Sequence, residues 1–295
     1  MIKPRVVVIA KRTEYRWHVE QNGDPRASRL LEKRDPSVAT WRASHREHTR
    51  TLEEVERVLD KVGAKSLFLE RAHAAFDTSD AVLVIAVGGD GTLLAASHNV
   101  GVVPILGVNS APSHSVGFFC AAQRDNFEAY LERALEGKLP RFRLTRMSVS
   151  VNGSLRSKRV LNEALYCHTS PAATSRYILR LGRHREEQRS SGFWIGPAAG
   201  STAAQHSAGG RILPLRSTKL QLVVREPYAP AVKYKVLRPL IAEGTEVSVQ
   251  SKMDDASVYL DGPHRVVSVR LGDVATFSAS DEPLTVLGLR GHKPR

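Results

Sequence analysis

An apolar run at residues 81–87 has no polar alternation, which predicts a strand buried on both faces. The residues Gly-Gly-Asp-Gly-Thr follow directly at positions 88–92, and Leu93 and Leu94 then begin an amphipathic segment typical of a helix. The pattern therefore predicts a strand, a glycine turn and a helix start in immediate succession.

Strand and helix patterns alternate through the first 138 residues. Buried strands are predicted at residues 5–10, 66–69 and 102–108, and helical spacing covers residues 51–62 and 127–135. This alternation indicates an open, mostly parallel α/β sheet. Such sheets bind ligands at the carboxyl ends of their strands, where residues 88–92 and Asn109 would lie.

Residues 11–50 interrupt this alternation with many charges and the breakers Gly23, Pro25 and Pro36. We interpret the segment as a long, partly flexible insertion. His45 and His48 stand three residues apart within it, but no Asp or Glu accompanies them at ligand spacing. We therefore expect both imidazoles to face solvent rather than a metal ion.

After residue 142 the pattern changes to short β-type runs separated by Gly, Asn, Asp or Pro. These runs cover residues 147–151, 159–166, 177–181, 220–224, 246–250, 257–260, 266–271 and 274–279. The sequence thus predicts an α/β domain at residues 1–138 and a β-rich, sandwich-like domain at residues 139–281. A last apolar run at 283–289 makes the tail, residues 282–295, a candidate to return to the first domain.

Composition narrows the class of protein. The 295 residues include 43 Lys and Arg against 30 Asp and Glu, a net charge of +13 that favours an anionic partner such as a nucleotide, polyphosphate, nucleic acid or acidic membrane. Two cysteines cannot form a disulfide framework or a cysteine zinc site. With no apolar run near membrane-spanning length and no signal-like N-terminus, we expect a soluble cytoplasmic protein.

The glycine turn carries candidate chemistry. Glycines at positions 88, 89 and 91 let backbone amides approach phosphate oxygens closely. A carboxylate beside a phosphate is repulsive unless a metal ion intervenes or the acid acts on the reacting hydroxyl group, which makes Asp90 distinctive. The simpler alternative is a tight turn whose Asp caps a helix. This GGDGT motif resembles the signature of NAD kinases, diacylglycerol and sphingosine kinases and, more distantly, phosphofructokinases.

Further motifs follow in a specific order. Asn162 and Glu163 end an apolar run, and residues 192–210 give a strand, a small-residue turn, a helix start at Ser201 and Thr202, and a second glycine turn. Residues 107–109 read Gly-Val-Asn and 117–119 read Gly-Phe-Phe, with Arg-Pro-Leu at 238–240 and Asp-Gly at 261–262. Together these motifs look like the NAD kinase family over roughly residues 80–290. The Ser-Ser-Gly at 190–192 is similar to a divergent branch that includes the mitochondrial enzymes of animals.

The resemblance implies roles for individual residues. Asp90 would be the general base for the 2'-hydroxyl of the adenosine ribose, and the donor would be ATP or polyphosphate with Mg²⁺ or another divalent metal and no metal site of the protein's own. The implied phosphate loop comprises Gly88, Gly89, Gly91 and Thr92. The implied substrate-binding residues are Gly91 and Leu94 beside the ribose, Phe118 on the adenine, Asn162 and Glu163 on ribose hydroxyls or adenine, Ser191 on the nicotinamide side, and Thr202 and Ala203 at the helix start.

The sequence also departs from the family's pattern. Most members have Asp where Ser191 stands, Thr-Pro-Thr at 197–199 and Tyr where Ala204 stands. These positions contact substrate in the family, so the departure concerns the nicotinamide side of the substrate. Because reduced nicotinamide lacks the positive charge that a carboxylate attracts, neutral Ser191 predicts phosphorylation of NADH with an efficiency near that for NAD.

Two alternatives stay open at this level. A lipid kinase of the diacylglycerol or sphingosine type shares the first motif, and a nucleic-acid-binding protein on a kinase scaffold would explain the charge. Against the second, the sequence shows no aromatic and basic interleaving of the kind that forms stacking platforms. We expect NAD or NADH and ATP or polyphosphate as partners, neither membrane nor nucleic acid, and a homo-oligomer, either dimer or tetramer.

Overall fold

A computed structural model describes residues 3–70, 75–228 and 234–289. The chain forms two compact units. The first comprises residues 1–142 with 285–295, and the second comprises residues 143–284. The domain boundaries predicted from the sequence, at residues 138 and 282, refer to domains that fold independently, and they stay predictions. Residues 290–295 of the predicted tail lie outside the described part of the chain.

The first unit is built on a sheet of seven strands. They are β1 Arg5–Ala10, β2 Lys65–Leu69, β3 Leu83–Gly88, β4 Ile105–Asn109, β5 Cys120–Gln123, β6 Arg141–Leu144 and β19 Leu284–Leu287. The strand order is β2-β1-β3-β4-β19-β6, with β5 also paired to β4. The central strands pair in parallel, and β3 and β4 are buried throughout. The run at 283–289 supplies β19, which pairs in parallel with β4.

The helices of this unit are α1 Pro25–Glu32, α2 Trp41–Lys61, α3 Asp90–Ser97 and α4 Phe127–Leu135. A π-helical turn at Arg16–Gln21 and 3-10 turns at Pro36–Val38 and Arg124–Asn126 complete it. Val55, Val58 and Leu59 of α2 pack into the same core as the central strands. The predicted alternation of strands and helices is therefore correct.

The prediction of a partly flexible insertion at residues 11–50 was wrong, because most of this segment is helical. Pro25 and Pro36 each begin a helical turn, where a missing N–H costs nothing, and do not break one. The preceding aspartates cap these turns: Asp24 accepts from the amides at positions 26 and 27, and Asp35 accepts from that of Ser37. Asp-Pro is thus a helix start here.

The second unit consists of two antiparallel sheets that share one apolar core. Its strands are β7 Met147–Val151, β8 Ser154–Val160, β9 Ala164–His168, β10 Ser175–Leu181, β11 His184–Ser190, β12 Phe193–Pro197, β13 Leu220–Val224, β14 Leu240–Ile241, β15 Val247–Ser251, β16 Ala256–Leu260, β17 Val266–Val269 and β18 Val274–Ala279. The strand orders are β11-β10-β15-β18-β7-β8 and β14-β13-β12-β9-β16-β17. This arrangement is the predicted β-rich, sandwich-like fold.

Two details of this unit bear on the site. The run predicted as one strand at 159–166 is interrupted between β8 and β9, so Asn162 and Glu163 lie in the break. A short 3-10 turn, Ala198–Thr202, precedes the four-residue helix α5, Ala204–Ser207.

Among the described residues, no helix combines the length and apolarity that crossing a bilayer requires.

Candidate active site

The glycine turn joins the end of β3 to the start of α3. Gly88 is the last strand residue, Gly89 caps the helix with an extended backbone, and Asp90 is the first helical residue. A Cβ atom on Gly88 would overlap the Thr92 side chain, so the packing itself requires glycine there. Nothing lies within 4 Å of a Cβ placed on exposed Gly91, so the protein's own packing gives no reason for that glycine.

The Asp90 carboxylate is held by backbone amides of another segment. Its Oδ2 accepts from the amide of Phe118 at 2.9 Å, and its Oδ1 accepts from that of Phe119 at 2.8 Å. The carboxylate therefore does not cap its own helix, as the simpler alternative would have it, but fixes the segment that leads into β5. Each oxygen keeps a further lone pair that can accept a proton or a hydrogen bond.

The segment between β4 and β5 supplies both of these amides, and Asn109 at the end of β4 holds its turn. The Asn109 Nδ2 donates to the carbonyl of Ser115 at 2.9 Å, and Gly117 adopts a left-handed backbone with φ 62° directly against the Asn109 side chain. Phe118 follows, half-buried and edge-on to the next ring with centroids 5.1 Å apart. In the first unit, the structure thus brings Asp90 and Phe118 together, with half-buried Leu94 on the helix that Asp90 begins.

In the second unit, Asp261 organises the break that contains Asn162 and Glu163. Its carboxylate accepts from the amides of Leu161, Asn162 and Glu163 at 2.7–3.1 Å, and its own amide donates to the Glu163 carbonyl. Asp261 has a left-handed backbone with φ 50°. Sequence reasoning used Asp261 only as a family motif and missed this role; the Asp-Gly pair was the available signal.

Two acceptor atoms in this break stay without a partner among the described residues. Asn162 Oδ1 and Glu163 Oε2 are both buried and neither receives a hydrogen bond. Burial, and then the nearby charge of Asp261, raise the pKa of the Glu163 carboxyl to about 7. Buried acceptors normally have donors, so this pair points to a ligand that supplies them.

The small-residue turn after β12 packs onto the backbone of this break. A Cβ atom on Gly196 or Gly200 would overlap the Asn162 carbonyl, which also accepts a hydrogen bond from Gln205 at 3.3 Å. Glycine is therefore required at both positions. The helix start predicted at Ser201 and Thr202 was wrong: both belong to the 3-10 turn, and α5 begins two residues further on.

Thr202 is exposed and Ala203 is half-buried. Both lie in or directly after the turn that packs on the Asn162 carbonyl, so the structure places them on the same side of the unit as Asn162 and Glu163.

Ser191 lies apart from those residues, at the other end of β12. It precedes the strand by two residues, whereas Gly196 is near the strand's end, a separation of about 16 Å at a rise of about 3.3 Å per residue. Its amide donates to the Arg225 carbonyl at 3.0 Å, and Arg225 Nη1 donates back to the Ser191 carbonyl at 3.3 Å. The guanidinium of Arg225, whose Nε lies 3.9 Å from the Glu226 carboxylate, therefore lies beside Ser191, where the resemblance implies a carboxylate in most of the family.

The predicted solvent exposure of the two imidazoles was wrong, because His48 is 3% exposed and the His45 side chain is 14% exposed, with Thr13 as a hydrogen-bond partner. Aromatic and basic side chains between residues 12 and 41 contact one another in two places. The Arg12 guanidinium lies 3.7 Å from the Trp17 ring, and His18 stacks on Trp41 at 5.2 Å. The described residues contain no group of three His, Cys, Asp or Glu side chains that could hold a metal ion.

Comparison with known proteins gives consistent matches. The family described as the ATP-NAD kinase N-terminal domain matches residues 9–139. A "Probable NADH kinase" of Oryza sativa subsp. japonica is 36% identical over 262 residues, covering 81% of this chain and 80% of that protein. An "NADH kinase" of Arabidopsis thaliana is 33% identical over 279 residues, covering 85% of this chain and 86% of that protein.

Solved structures agree on the fold. An NAD kinase from Archaeoglobus fulgidus in complex with ATP superposes with a TM-score of 0.69 at 20% identity, covering 98% of this chain and 94% of the other. Yeast NADH kinase complexed with NADH gives a TM-score of 0.68 at 14% identity, covering 99% and 85%. These matches support neither the lipid-kinase nor the nucleic-acid-binding alternative.

Proposed function

Because this chain belongs to the NAD kinase family, we propose that it transfers a phosphoryl group to the 2'-hydroxyl of the adenosine ribose of NAD or NADH. The product is NADP or NADPH. The donor is ATP or polyphosphate, and Mg²⁺ or another divalent cation bound to the donor would supply neutralisation of the phosphate charge.

The observation that carries this proposal is the pair of unpartnered buried acceptors, Asn162 Oδ1 and Glu163 Oε2. Ribose hydroxyls are donors that a carboxylate and an amide oxygen can bind side by side. Asp261 holds the backbone beneath the pair, so the acceptors are fixed before a ligand arrives. A preorganised acceptor pair favours binding because little has to be ordered.

The remaining proposed roles follow from the glycine turn. Asp90 accepts the proton of the reacting hydroxyl, and its contacts with the amides of residues 118 and 119 keep the carboxylate oriented for this step. The amides of Asp90 and Gly91 begin helix α3, ahead of those of Thr92 and Leu93, which donate to the Gly89 carbonyl. Amides at the start of a helix have no partner within it, so they can bind phosphate oxygens. The open space at Gly91 admits the substrate close to the backbone.

We also propose that NADH is a substrate as well as NAD. The rice and Arabidopsis relatives are named NADH kinases, and the chain has neutral Ser191 beside Arg225. A cation near the nicotinamide disfavours the positively charged oxidised ring and leaves the reduced ring unaffected. Cytoplasmic location and a dimeric or tetrameric assembly stay predictions.

The binding role of Glu163 is tested by calorimetry of NAD and NADH on Glu163→Ala. Loss of a hydrogen-bonded carboxylate is expected to weaken binding by about 1.5–3 kcal/mol. Glu187→Ala is the matched control, because Glu187 is an exposed carboxylate of the same unit that pairs with Lys252. Unchanged affinity in Glu163→Ala, with the fold intact by circular dichroism, would contradict the proposal.

A further inference from the structure

Helix α2 buries two polar side chains on a face that is otherwise apolar. His48 is 3% exposed and Thr51 is 1% exposed, whereas Val55, Val58 and Leu59 continue the same face into the core. Burying a polar side chain costs stability unless it is hydrogen-bonded. The hydrogen-bond partners of His48 and Thr51 therefore identify the segment that this part of the helix holds in place.

Both side chains contact Ser110. His48 Nδ1 lies 2.7 Å from the Ser110 hydroxyl oxygen, and the Thr51 hydroxyl lies 3.0 Å from the Ser110 carbonyl and 3.0 Å from the Glu47 carbonyl of its own helix, between which it shares one proton. The Ser110 amide in turn donates to the Gly88 carbonyl at 2.9 Å. Ser110 is thus tied to the helix on one side and to the glycine turn on the other.

The same segment continues to Asp90. From Ser110 the chain runs through the turn that Asn109 closes and reaches Phe118 and Phe119, whose amides hold the Asp90 carboxylate. His48 touches none of the proposed reacting groups. It acts at one end of a segment whose other end orients Asp90.

Stability alone does not account for a histidine at this position. Nε2 of His48 is buried and makes no hydrogen bond of normal geometry among the described residues; the Lys11 backbone is close enough to oppose the fall in the His48 pKa but leaves a cost that an apolar side chain would avoid. Burial, and then the positive charge of Lys11, lower the pKa of His48 to about 4. The imidazole is therefore neutral across the pH range of an ordinary kinase assay, so its contact with Ser110 does not change with pH there.

We propose that His48 is a positioning residue for phosphoryl transfer: through Ser110 it fixes the segment 110–119 and thereby the orientation of Asp90. This inference rests on the proposed function. Because misplacing a catalytic group by about 1 Å can cost about 100-fold in rate, the effect should fall on kcat. The affinity for the dinucleotide should change less than kcat, because the proposed ribose acceptors Asn162 and Glu163 lie in the second unit and only Phe118, expected on the adenine, belongs to this segment.

The test compares two substitutions that separate side-chain volume from hydrogen bonding. His48→Leu keeps most of the volume but cannot bind Ser110, whereas His48→Asn is smaller but places a polar atom near the position of Nδ1. We expect kcat to fall about 10- to 100-fold in His48→Leu, with KM for NAD changed by less than about threefold, and to recover largely in His48→Asn. Val55→Ala, on the same buried face, is the control and should lower stability while leaving kcat near that of the wild type.

Hydrogen exchange supplies a readout that does not need activity. The backbone amides of residues 110–119 other than Pro112 should exchange about tenfold faster in His48→Leu than in the wild type, and those of the second unit should be unchanged. A kcat in His48→Leu within about twofold of the wild type, or equal losses in the Leu and Asn variants, would overturn the inference. A wild-type protein that forms no NADP or NADPH refutes the proposed function instead, and unchanged exchange at 110–119 would then also remove His48 from control of this segment.

Discussion

The Glu163 carboxyl should make the ligand-free protein less stable as the pH rises, and Glu163→Gln should remove this effect. The carboxyl has an ordinary pKa of 4.5 in the unfolded chain and a pKa raised to about 7 in the folded protein, by burial and then by Asp261. Between these values the folded protein binds the proton more tightly than the unfolded chain. Its free energy of unfolding therefore falls as the pH rises through this window.

The two pKa values give the size of the effect. Relative to low pH, where the carboxyl is protonated in both states, linkage predicts that its titration lowers the free energy of unfolding by about 1 kcal/mol at pH 5 and about 3 kcal/mol at pH 8. Glutamine has nearly the same shape but no charge to bury. Relative to the wild type, Glu163→Gln should therefore gain about 2 to 3 kcal/mol in free energy of unfolding between pH 5 and pH 8.

Urea unfolding of both proteins at the two pH values, without ligand, measures this gain. Glu187→Gln is the control: the hydrogen bond from Lys252 lowers the pKa of the Glu187 carboxyl, so this variant should show no gain at pH 8. A stability difference between Glu163→Gln and the wild type that is the same at pH 5 and pH 8 would refute the reasoning, because it would mean that the buried carboxyl titrates normally.

Dinucleotide binding should lower the raised pKa of the Glu163 carboxyl, because ribose hydroxyls would donate to the carboxylate and favour its charged form. At pH 6.5 the free protein carries the Glu163 proton in about three molecules of four, so binding should release about 0.7 proton. Calorimetry in two buffers of different ionisation enthalpy detects this release. The release should vanish in Glu163→Gln.

Three further substitutions address the other proposed roles. Asp90→Asn should lower kcat by about 10²- to 10⁴-fold and also reduce stability by about 1.5–3 kcal/mol, because both amides lose a charged acceptor and one of them then faces the side-chain NH2 group; near-normal turnover would exclude Asp90 as the base. Gly91→Ala should leave the fold intact and raise its stability by about 0.5–1 kcal/mol while weakening turnover, because the new methyl group occupies space proposed for substrate; full activity would place the substrate elsewhere. Ser191→Asp should shift the ratio of kcat/KM toward NAD over NADH. The shift should be less than about 3 kcal/mol, the value for a lone carboxylate about 5 Å from the ring, because Arg225 offsets part of the charge. A wild-type preference for NAD beyond about 100-fold would contradict the proposed tolerance of NADH.

The sequence pattern was sufficient for the elements whose side chains alternate or cluster by polarity. The strands Arg5–Ala10 and Met147–Val151 and the helix Phe127–Leu135 have the bounds predicted for them. Strand β11, His184–Ser190, was missed because all seven of its residues are polar. Its place comes from pairing with β10 over seven residues, which no local pattern records.

In the candidate site too, local motifs were predictable from the sequence and long-range contacts were not. Glycine turns and the Asn-Glu pair were visible as motifs, but the contacts that orient them come from distant parts of the chain. Asp261 lies about 100 residues from the amides it holds, and His48 lies 62 residues from Ser110. A buried polar residue on a charged helix looks solvent-exposed in sequence, so His48 could be assigned only once its packing was known.

The most direct test of the central claim is the formation of phosphorylated dinucleotide by the purified protein. NAD and NADH are each incubated with ATP and Mg²⁺, and then with polyphosphate in place of ATP, and the product is measured with a dehydrogenase that accepts only NADP or NADPH. We predict product from both dinucleotides with at least one of the two donors, and a large loss of product in Asp90→Asn. No product from either dinucleotide with either donor would contradict the account.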